Sequence, residues 1–255
     1  VERSRGLGDV YKRQAFSLVV VFILPIITAI LIGVSYSFLG TSGTDSAFEV
    51  WMQQNPVEVS ILSDEKTIIS PVESAVSYLL TVPLQIWFIF WLLRRRKIDL
   101  SKNLGLYHFN RNALIYSLVA YVILYLVLTA YSYAFQISPP EEFIKLMQAT
   151  PFVLNFLMVV IGAPIVEELL FRGFLFSQLK TTKLGINGSI ILTSLIWTSI
   201  HLQYDLFLLI PIFLLGLFLG YLMHKYNSLY LVIIVHAVHN LQATLFIEFF
   251  YDYFY

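Results

Sequence analysis

The sequence lacks cysteine and has few charged residues. Its 255 residues include no Cys, and Asp, Glu, Lys and Arg together make up only 13%. The absence of cysteine excludes disulfides, thiolate zinc sites, a cysteine nucleophile and lipidation on cysteine, so His, Asp and Glu remain as the strong ligand or catalytic types. The formal net charge is +0, so the composition indicates no nucleic-acid partner.

Apolar residues are abundant instead. Hydrophobic residues make up 58% of the chain, compared with roughly 45 to 50% in soluble domains. This excess predicts an all-α, polytopic transmembrane bundle surrounded by the lipid bilayer. The predicted spans leave no loop long enough to hold a second core, so we expect one bundle.

The first fourteen residues, Val1 to Gln14, are expected to be foreign to the protein. The sequence has no initiator Met, and Asp9 to Gln14 reads DVYKRQ, which is the translation of a transposon sequencing adapter. These residues are therefore excluded from the fold prediction. The expected organisation is a set of N-terminal transmembrane helices over residues 15–144, followed by a membrane core over residues 145–255.

Seven apolar stretches are predicted to cross a hydrocarbon core of about 30 Å. The basic run from Arg94 to Lys97 indicates a cytoplasmic end for the second stretch, because positively charged loops stay in the cytoplasm. The run from Pro139 to Glu142 indicates the outer end of the third stretch, and we expect the Gly40 to Glu73 loop to lie outside. The seven predicted spans are residues 15–39, 74–93, 113–135, 143–180, 188–202, 206–223 and 229–250.

Two of these spans carry features that predict their shape and packing. At 1.5 Å per residue, the fourth span is longer than the hydrocarbon is thick, so we expect it to kink, tilt or project, with an interruption at Gly162-Ala163-Pro164. In the sixth span, Gly216 and Gly220 are four residues apart, a spacing that predicts a close-packing helix face.

The fourth span also contains three charged residues within apolar sequence, Glu167, Glu168 and Arg172. A charge at the bilayer centre costs about 3 kcal/mol on insertion scales, so such residues usually face a protein interior or a water-filled cavity. At about 100° per residue, Glu168 and Arg172 lie on one helix face and can pair, whereas Glu167 points away from both. Glu167 is therefore predicted to be the free carboxylate. The alternative is a buried ion cluster that only fixes helix packing.

Two later spans add further polar groups, His201 in the fifth and His236 with Asn240 in the seventh. At 1.5 Å per residue from the cytoplasmic boundary, Glu167, His201, His236 and Asn240 are predicted to lie roughly 12 to 18 Å deep, in one layer. A single His in a span is more often a packing residue, which is the interpretation for His239. Four groups that converge from three helices instead indicate a functional site.

The set fits water-dependent amide hydrolysis. It contains a carboxylate base, imidazoles that can orient water or donate protons, and an amide that can hold an oxyanion. Two His and a carboxylate could equally hold a metal with an open position, so zinc is not excluded and no cofactor is assigned. A serine mechanism lacks a placed nucleophile, because Gly40-Thr41-Ser42-Gly43, although similar to the rhomboid serine motif, lies in a hydrophilic loop and is interpreted as a turn.

Taken in order, these residues resemble the CPBP intramembrane proteases, also called the Abi or CAAX prenyl endopeptidase family. The resemblance covers about residues 145–250. Trp197 departs from the family, in which Phe is more frequent, and we expect it to be tolerated because the position supplies ring surface. The matching motifs are Glu167-Glu168-x-x-x-Arg172, the aromatic-x-x-x-His formed by Trp197 and His201, and His236-x-x-x-Asn240.

The resemblance implies an intramembrane endopeptidase of a bacterial plasma membrane, acting on a membrane-associated protein or peptide. It implies that Glu167 activates water, that His201, His236 and Asn240 assist, and that Glu168 with Arg172 supports them. With only two imidazoles in place, a metal-free glutamate mechanism is preferred.

The resemblance also bears on substrates and on other possible functions. Eukaryotic members trim prenylated CAAX proteins, whereas bacterial members have varied roles that include bacteriocin processing and immunity. A different class of function is a non-catalytic membrane partner, such as an immunity or regulatory protein on the same fold. A third is a proton-coupled transporter, since Glu and His in spans are typical there too, although the sequence shows none of the internal symmetry that many transporters have.

Overall fold

The computed structural model describes residues 71–95, 99–202 and 204–254. In these ranges the chain forms helices and no strands, which confirms the predicted all-α class. The helices are α1 (Pro71–Arg95), α2 (Leu100–Leu104), α3 (Arg111–Ala134), α4 (Glu141–Ala149), α5 (Phe152–Leu179), α6 (Gly185–Ser199), α7 (Leu206–Tyr226), α8 (Leu229–Phe249) and α9 (Tyr251–Phe254).

Five helices in the described part of the chain are long and apolar enough to cross a membrane, namely α1, α3, α5, α7 and α8. The predicted first span, the foreign segment before it and the loop up to residue 70 lie outside the described residues. The predicted fifth span forms α6, whose 15 residues extend about 22 Å at 1.5 Å each. Because α6 is shorter than a hydrocarbon core, the number of seven spans stays a prediction.

Polar side chains begin four of the helices. Asp99, Asn110, Asp205 and Ser228 each accept a hydrogen bond from the backbone N–H three residues later, at the starts of α2, α3, α7 and α8. Such caps satisfy an N–H group that the first turn of a helix leaves without a partner. Asn227 closes α7 in the left-handed conformation, at φ 47°, so the chain reverses within two residues and α8 runs antiparallel to α7.

The fourth predicted stretch divides earlier than expected. It separates into α4 and α5 at Thr150-Pro151, where Thr150 is extended with φ −91° and ψ 130°. A proline disfavours helical geometry in the residue before it, which explains the end of α4. The sequence analysis did not use this proline and joined two helices that the structure separates.

The interruption predicted at Gly162-Ala163-Pro164 is wrong. Helix α5 continues through these residues, changing from π-helical geometry over Phe156–Gly162 to α-helical geometry over Ala163–Glu168, and it becomes π-helical again over Leu169–Leu175. Pro164 lies in the first turn of the α-helical stretch, where a missing N–H is tolerated. The site residues of α5 therefore lie at and between two widened turns, a geometry that often marks functional positions.

Helix α5 is the central helix of the bundle. Every residue from Glu168 to Leu179 is buried, and in an apolar window of 18 residues 44% of α5 is buried inside the protein, compared with 22% of α3. The second half of α5 is therefore surrounded by other helices, while α3 has a large outward surface. Charged residues in this half of α5 must find partners within the protein.

Gly216 and Gly220 allow α6 and α7 to lie in close contact. A Cβ atom on Gly216 would stand 3.0 Å from Ser194 Cβ, and one on Gly220 would stand 3.0 Å from Ile190 Cγ2. Both distances are shorter than ordinary van der Waals contact, so a side chain at either position would require the neighbouring residue of α6 to shift by a few tenths of an ångström. The predicted close-packing face is confirmed, and its partner is α6.

The connection after α2 packs against the turn between α7 and α8. Ser228 Oγ donates to the Tyr107 carbonyl at 2.6 Å, and Leu229 N donates to the Gly105 carbonyl at 2.8 Å. These bonds bring the basic residues near both segments, Lys102 and Lys225, to one end of the bundle. The assignment of that end to the cytoplasm stays a prediction.

Candidate active site

A fully buried ion pair stands at the centre of the site. Arg172 Nη1 donates to Glu168 Oε1 at 2.7 Å, and both side chains are 0% exposed. Arg172 Nη2 also donates to the Gly216 carbonyl of α7 at 3.1 Å. The pairing predicted from the spacing within α5 is therefore present. A buried carboxylate with this arginine as partner avoids the cost of an isolated charge.

His236 of α8 lies between the two neighbouring glutamates. Its Nδ1 is 2.8 Å from Glu168 Oε1, and its Nε2 is 3.9 Å from Glu167 Oε2. An ionised carboxylate only accepts hydrogen bonds, so the Nδ1 atom carries the hydrogen. In the neutral ring, Nε2 then keeps a free lone pair on the side of Glu167.

Glu167 is the more accessible of the two carboxylates. Its side chain is 19% exposed, whereas that of Glu168 is 0% exposed. It has no salt bridge with Arg172, as predicted, but one oxygen has a partner that is distant in sequence, because Trp197 Nε1 donates to Glu167 Oε2 at 2.6 Å. Among the residues that the structure describes, no hydrogen bond to Glu167 Oε1 is found. This oxygen is available to a substrate or to water.

Trp197 of α6 contacts four of the six predicted site residues. Besides its bond to Glu167, its ring lies 4.7 Å from the guanidinium carbon of Arg172. Its ring centre is 5.4 Å from that of His236 and 5.2 Å from that of His201, both in edge contacts. The sequence analysis treated this position as ring surface alone. The additional role of its N–H has no signal in one sequence, because it depends on where α6 packs against α5.

His201 lies in the turn after α6, since the helix ends at Ser199 and not at the predicted Leu202. Its Nδ1 is 2.9 Å from the Trp197 carbonyl, and its ring stacks on that of Tyr204 at 6.3 Å. A carbonyl accepts, so Nδ1 is the donor and Nε2 has a free lone pair. Within the described ranges, no hydrogen bond joins His201 to Glu167 or to His236. Its connection to the site runs through Trp197.

Asn240 lies one turn beyond His236 and contacts a different part of α5. Its Nδ2 donates to the Val159 carbonyl at 2.8 Å. That carbonyl lacks a donor in its own helix, because the Ala163 N–H bonds to the Met158 carbonyl and Pro164 has no N–H. Asn240 therefore satisfies a backbone group that the π-to-α transition leaves without a partner. The structure places it beside the segment that leads to Glu167.

The arrangement does not fit the metal site left open by the sequence. Within residues 71–95, 99–202 and 204–254, no three His, Asp or Glu side chains are grouped so that they could hold a metal ion. His236 Nδ1 and Glu168 Oε1 bond to each other, which leaves His236 Nε2 and the Glu167 carboxylate as neighbouring donors. His201 Nε2 is also free, but His201 is not grouped with these two. Catalytic zinc sites use three protein ligands. The described side chains supply fewer.

A second polar pair, partly buried, lies beside the site. Tyr121 of α3 and His239 of α8 are in contact, with the hydroxyl 3.2 Å from Nδ1 and the rings at 90°. This bond agrees with the interpretation of His239 as a packing residue with its own partner.

The comparisons with known proteins identify the segment that holds this geometry. Residues 149–242 match the family described as "Rce1-like: Type II CAAX prenyl endopeptidase Rce1-like". The matched segment extends from the end of α4 into α8 and contains all six predicted site residues. No curated protein and no solved structure was found to match the chain. The match over residues 149–242 confirms the resemblance to the CPBP intramembrane proteases that the motifs carry.

Proposed function

We propose that the protein is a membrane-embedded endopeptidase in which Glu167 activates the water that hydrolyses a peptide bond. The observation that carries this proposal is the inequality of the two glutamates. Glu168 is fully buried in a network with Arg172 and His236, whereas Glu167 is partly exposed and has one oxygen free of protein partners in the described structure. General-base hydrolysis requires a carboxylate within hydrogen-bond reach of water, and of the two glutamates only Glu167 has an accessible side chain.

The proposed reaction uses Glu167 first as a base and then as an acid. Its Oε1 takes a proton from water while the water oxygen attacks the carbonyl carbon of the scissile bond. The C–N bond of the resulting tetrahedral intermediate then breaks, and Glu167 returns the proton to the leaving amine. No net proton is gained or lost, and one water is consumed for each bond cleaved.

His236 is proposed to hold that water together with Glu167. Glu168 binds the hydrogen on Nδ1, which fixes the tautomer and leaves Nε2 as the atom that faces the site. Nε2 lies 3.9 Å from Glu167 Oε2, too far for a direct hydrogen bond. The Glu167 carboxylate is near enough to Nε2 for one water molecule to bond to Nε2 and to the free oxygen Oε1. Arg172 supports the arrangement by holding the charge on Glu168.

His201 and Asn240 are proposed to assist from the neighbouring helices. His201 uses Nδ1 on the Trp197 carbonyl, so its Nε2 is available to the substrate. Asn240 uses one amide hydrogen on the Val159 carbonyl, so its second hydrogen can bond to a peptide oxygen on which charge develops. Both groups thus keep one polar atom for substrate after satisfying the backbone.

The proposed substrate is a membrane-associated protein or peptide, with a prenylated CAAX peptide as the first candidate because the matched family is described as a prenyl endopeptidase. Bacteriocin processing or immunity is a further candidate role from the resemblance. A non-catalytic membrane partner is the second candidate function. It is favoured by the fact that Glu168, Arg172 and His236 satisfy one another without any need for turnover.

The proposal is tested with the purified full chain in detergent and in liposomes. The probe is an internally quenched farnesylated CAAX peptide, compared with its unprenylated copy. Glu167→Gln should lower turnover by about 10² to 10⁴ and leave thermal stability unchanged. Glu141→Gln is the matched control, because Glu141 is 79% exposed at the start of α4, and it should keep full activity.

Cleavage in water enriched in ¹⁸O should place one labelled oxygen in the new carboxyl group of the product. A folded wild-type chain that cleaves neither peptide would favour the non-catalytic partner. Activity that persists in Glu167→Gln at the wild-type level would remove Glu167 from the mechanism.

A further inference from the structure

The indole of Trp197 bonds to the reacting carboxylate and not to a backbone carbonyl. Its Nε1 donates to Glu167 Oε2 at 2.6 Å, and the Trp197 side chain is almost completely buried. We infer that Trp197 is a positioning residue, which holds one oxygen of Glu167 and so presents the other oxygen to water. This inference rests on the proposed role of Glu167 as the base.

The bond restricts a rotation that is otherwise nearly free. The terminal torsion of a glutamate side chain is broad and roughly twofold, so its two oxygens readily exchange positions. An indole N–H can only donate, and a hydrogen bond to an ionised oxygen is about twice as strong as a neutral one. The Trp197 bond therefore distinguishes Oε2 from Oε1. A phenylalanine ring would fill the same space without making this distinction.

The direction of the indole N–H is fixed by the surroundings of the ring. One face lies 4.7 Å from the Arg172 guanidinium carbon, and the edges contact His201 and His236. The ring is thus held by a cation and by two imidazoles of the same site. Displacement of the ring would alter the position of each of these groups.

Gly216 provides the space that the indole occupies. A Cβ atom on Gly216 would stand 3.1 Å from Trp197 Cε3, and the carbonyl of the same residue accepts a hydrogen bond from Arg172. The contact between α6 and α7 therefore sets the position of the Trp197 ring relative to α5. The close-packing face is part of the support of the site.

A purely space-filling tryptophan would behave differently, because it would need only the ring. The first test therefore measures the bond itself, with no substrate present. Ultraviolet resonance Raman spectra contain an indole band that responds to hydrogen bonding of the N–H. The difference between the wild type and Trp197→Phe isolates the Trp197 contribution, with Trp87→Phe as a control because Trp87 is 61% exposed.

Glu167→Ala should move the Trp197 band to the position of a free indole N–H, and Glu141→Ala should leave it unchanged. A band that is the same in Glu167→Ala and in the wild type would overturn the inference. This measurement needs no activity, so its result is independent of the proposed function.

The second test separates the N–H from the ring during turnover. Replacement of Trp197 by benzothienylalanine keeps the bicyclic ring and substitutes sulfur for N–H. With the farnesylated peptide, kcat should fall by about ten- to a hundredfold, the range of a hydrogen bond to a charged group, while KM changes less than about twofold. Trp197→Phe should be no more active than the benzothienylalanine variant. Reinsertion of Trp at position 197 by the same suppression method should restore kcat.

The outcomes distinguish the two proposals. An active wild type together with a fully active benzothienylalanine variant would overturn the positioning role and leave the protease intact. An inactive, folded wild type would overturn the proposed function. It would also overturn the positioning role of Trp197, because Glu167 would then not be a reacting carboxylate. A rise in KM with unchanged kcat would assign Trp197 to substrate binding and also overturn the inference.

Discussion

Glu168 binds His236 through the same oxygen that binds Arg172. The Oε1 atom of Glu168 is 2.8 Å from His236 Nδ1 and 2.7 Å from Arg172 Nη1, while its Oε2 atom is buried without a hydrogen-bond partner in the described structure. One carboxylate thus connects the arginine of α5 to the imidazole of α8. This relationship makes Glu168 and Glu167 inequivalent, although they are adjacent in sequence.

The first prediction concerns stability. Glu168→Gln or Arg172→Met should destabilise the protein by about 3 to 5 kcal/mol, because each change leaves a buried charge without its partner. The unfolding temperature in detergent and the amount of protein recovered from the membrane fraction are both measured. The double variant Glu168→Gln/Arg172→Met should lose less stability than the two single variants lose together, since neither charge remains.

The control for this prediction is the exposed pair of α4. Lys145 and Glu141 also lie at i,i+4 and 2.6 Å apart, but both side chains are more than two-thirds exposed. Glu141→Gln should therefore leave the unfolding temperature close to that of the wild type. If Glu168→Gln is folded and inactive while Glu167→Gln remains active, the proposed roles of the two glutamates are reversed.

Helical spacing was sufficient to predict the Glu168–Arg172 pair, because residues four apart meet on one helix face whatever the rest of the fold does. The same reasoning predicted the face formed by Gly216 and Gly220. Both features are local to one helix. Their partners on other helices, His236 and α6, could not be derived from spacing, since they depend on how the helices pack.

The two errors in α5 have a different origin. Proline removes an N–H, so Pro164 was expected to interrupt the helix. In the structure the helix continues through Pro164, and Asn240 donates to the Val159 carbonyl that the missing N–H leaves without a helix partner. Pro151, which does separate α4 from α5, follows Thr150 at a point that hydrophobicity alone does not mark. The sequence alone does not indicate that Pro151 ends a helix while Pro164 does not, because the π-helical turn that accommodates Pro164 is not visible in it.

The second prediction concerns metal. Only His236 Nε2 and the Glu167 carboxylate lie together as free donors in the described site, and His201 is not grouped with them. We therefore expect the purified protein to contain zinc at well below one ion per chain. Incubation with 1,10-phenanthroline should leave cleavage of the farnesylated peptide unchanged. Stoichiometric zinc that is lost in His201→Ala and in His236→Ala would contradict the preference for a metal-free glutamate mechanism.

The third prediction concerns topology, and the absence of cysteine makes it direct to test. Single cysteines at Lys102 and at Gln148 should react with an impermeant maleimide from opposite sides of the membrane. Lys102 is expected to be cytoplasmic by the positive-inside rule, and Gln148 lies at the other end, where it bonds to Asp252. Labelling of both positions from the same side would contradict the predicted arrangement of α1 to α4.

The fourth prediction compares the two glycines of α7. Gly216→Ala and Gly220→Ala should each lower the unfolding temperature, because each added Cβ would stand 3.0 Å from a side chain of α6. Only Gly216 also faces the Trp197 ring. Gly216→Ala should therefore reduce kcat well beyond the effect of Gly220→Ala. Equal activities at equal stability would show that the α6–α7 contact does not position the indole.

The fifth prediction concerns Asn240 and Pro164, which are linked through the Val159 carbonyl. Asn240→Ala removes the donor to that buried carbonyl and should cost about 1 to 3 kcal/mol of stability. Pro164→Ala supplies an N–H five residues after Val159, in register for the π-type bond that proline prevents. In the Pro164→Ala background, Asn240→Ala should therefore be less destabilising than in the wild type.

The stability cycle for this pair also separates two roles of Asn240. If the amide only satisfies Val159, then Pro164→Ala/Asn240→Ala should recover activity together with stability. If its second N–H also binds the substrate, as proposed, the double variant should be stable and still slow. The effects of the two substitutions on stability should not add, because both act on one carbonyl. An equal loss of stability from Asn240→Ala in the wild type and in the Pro164→Ala background would show that Asn240 does not compensate for the missing N–H of Pro164.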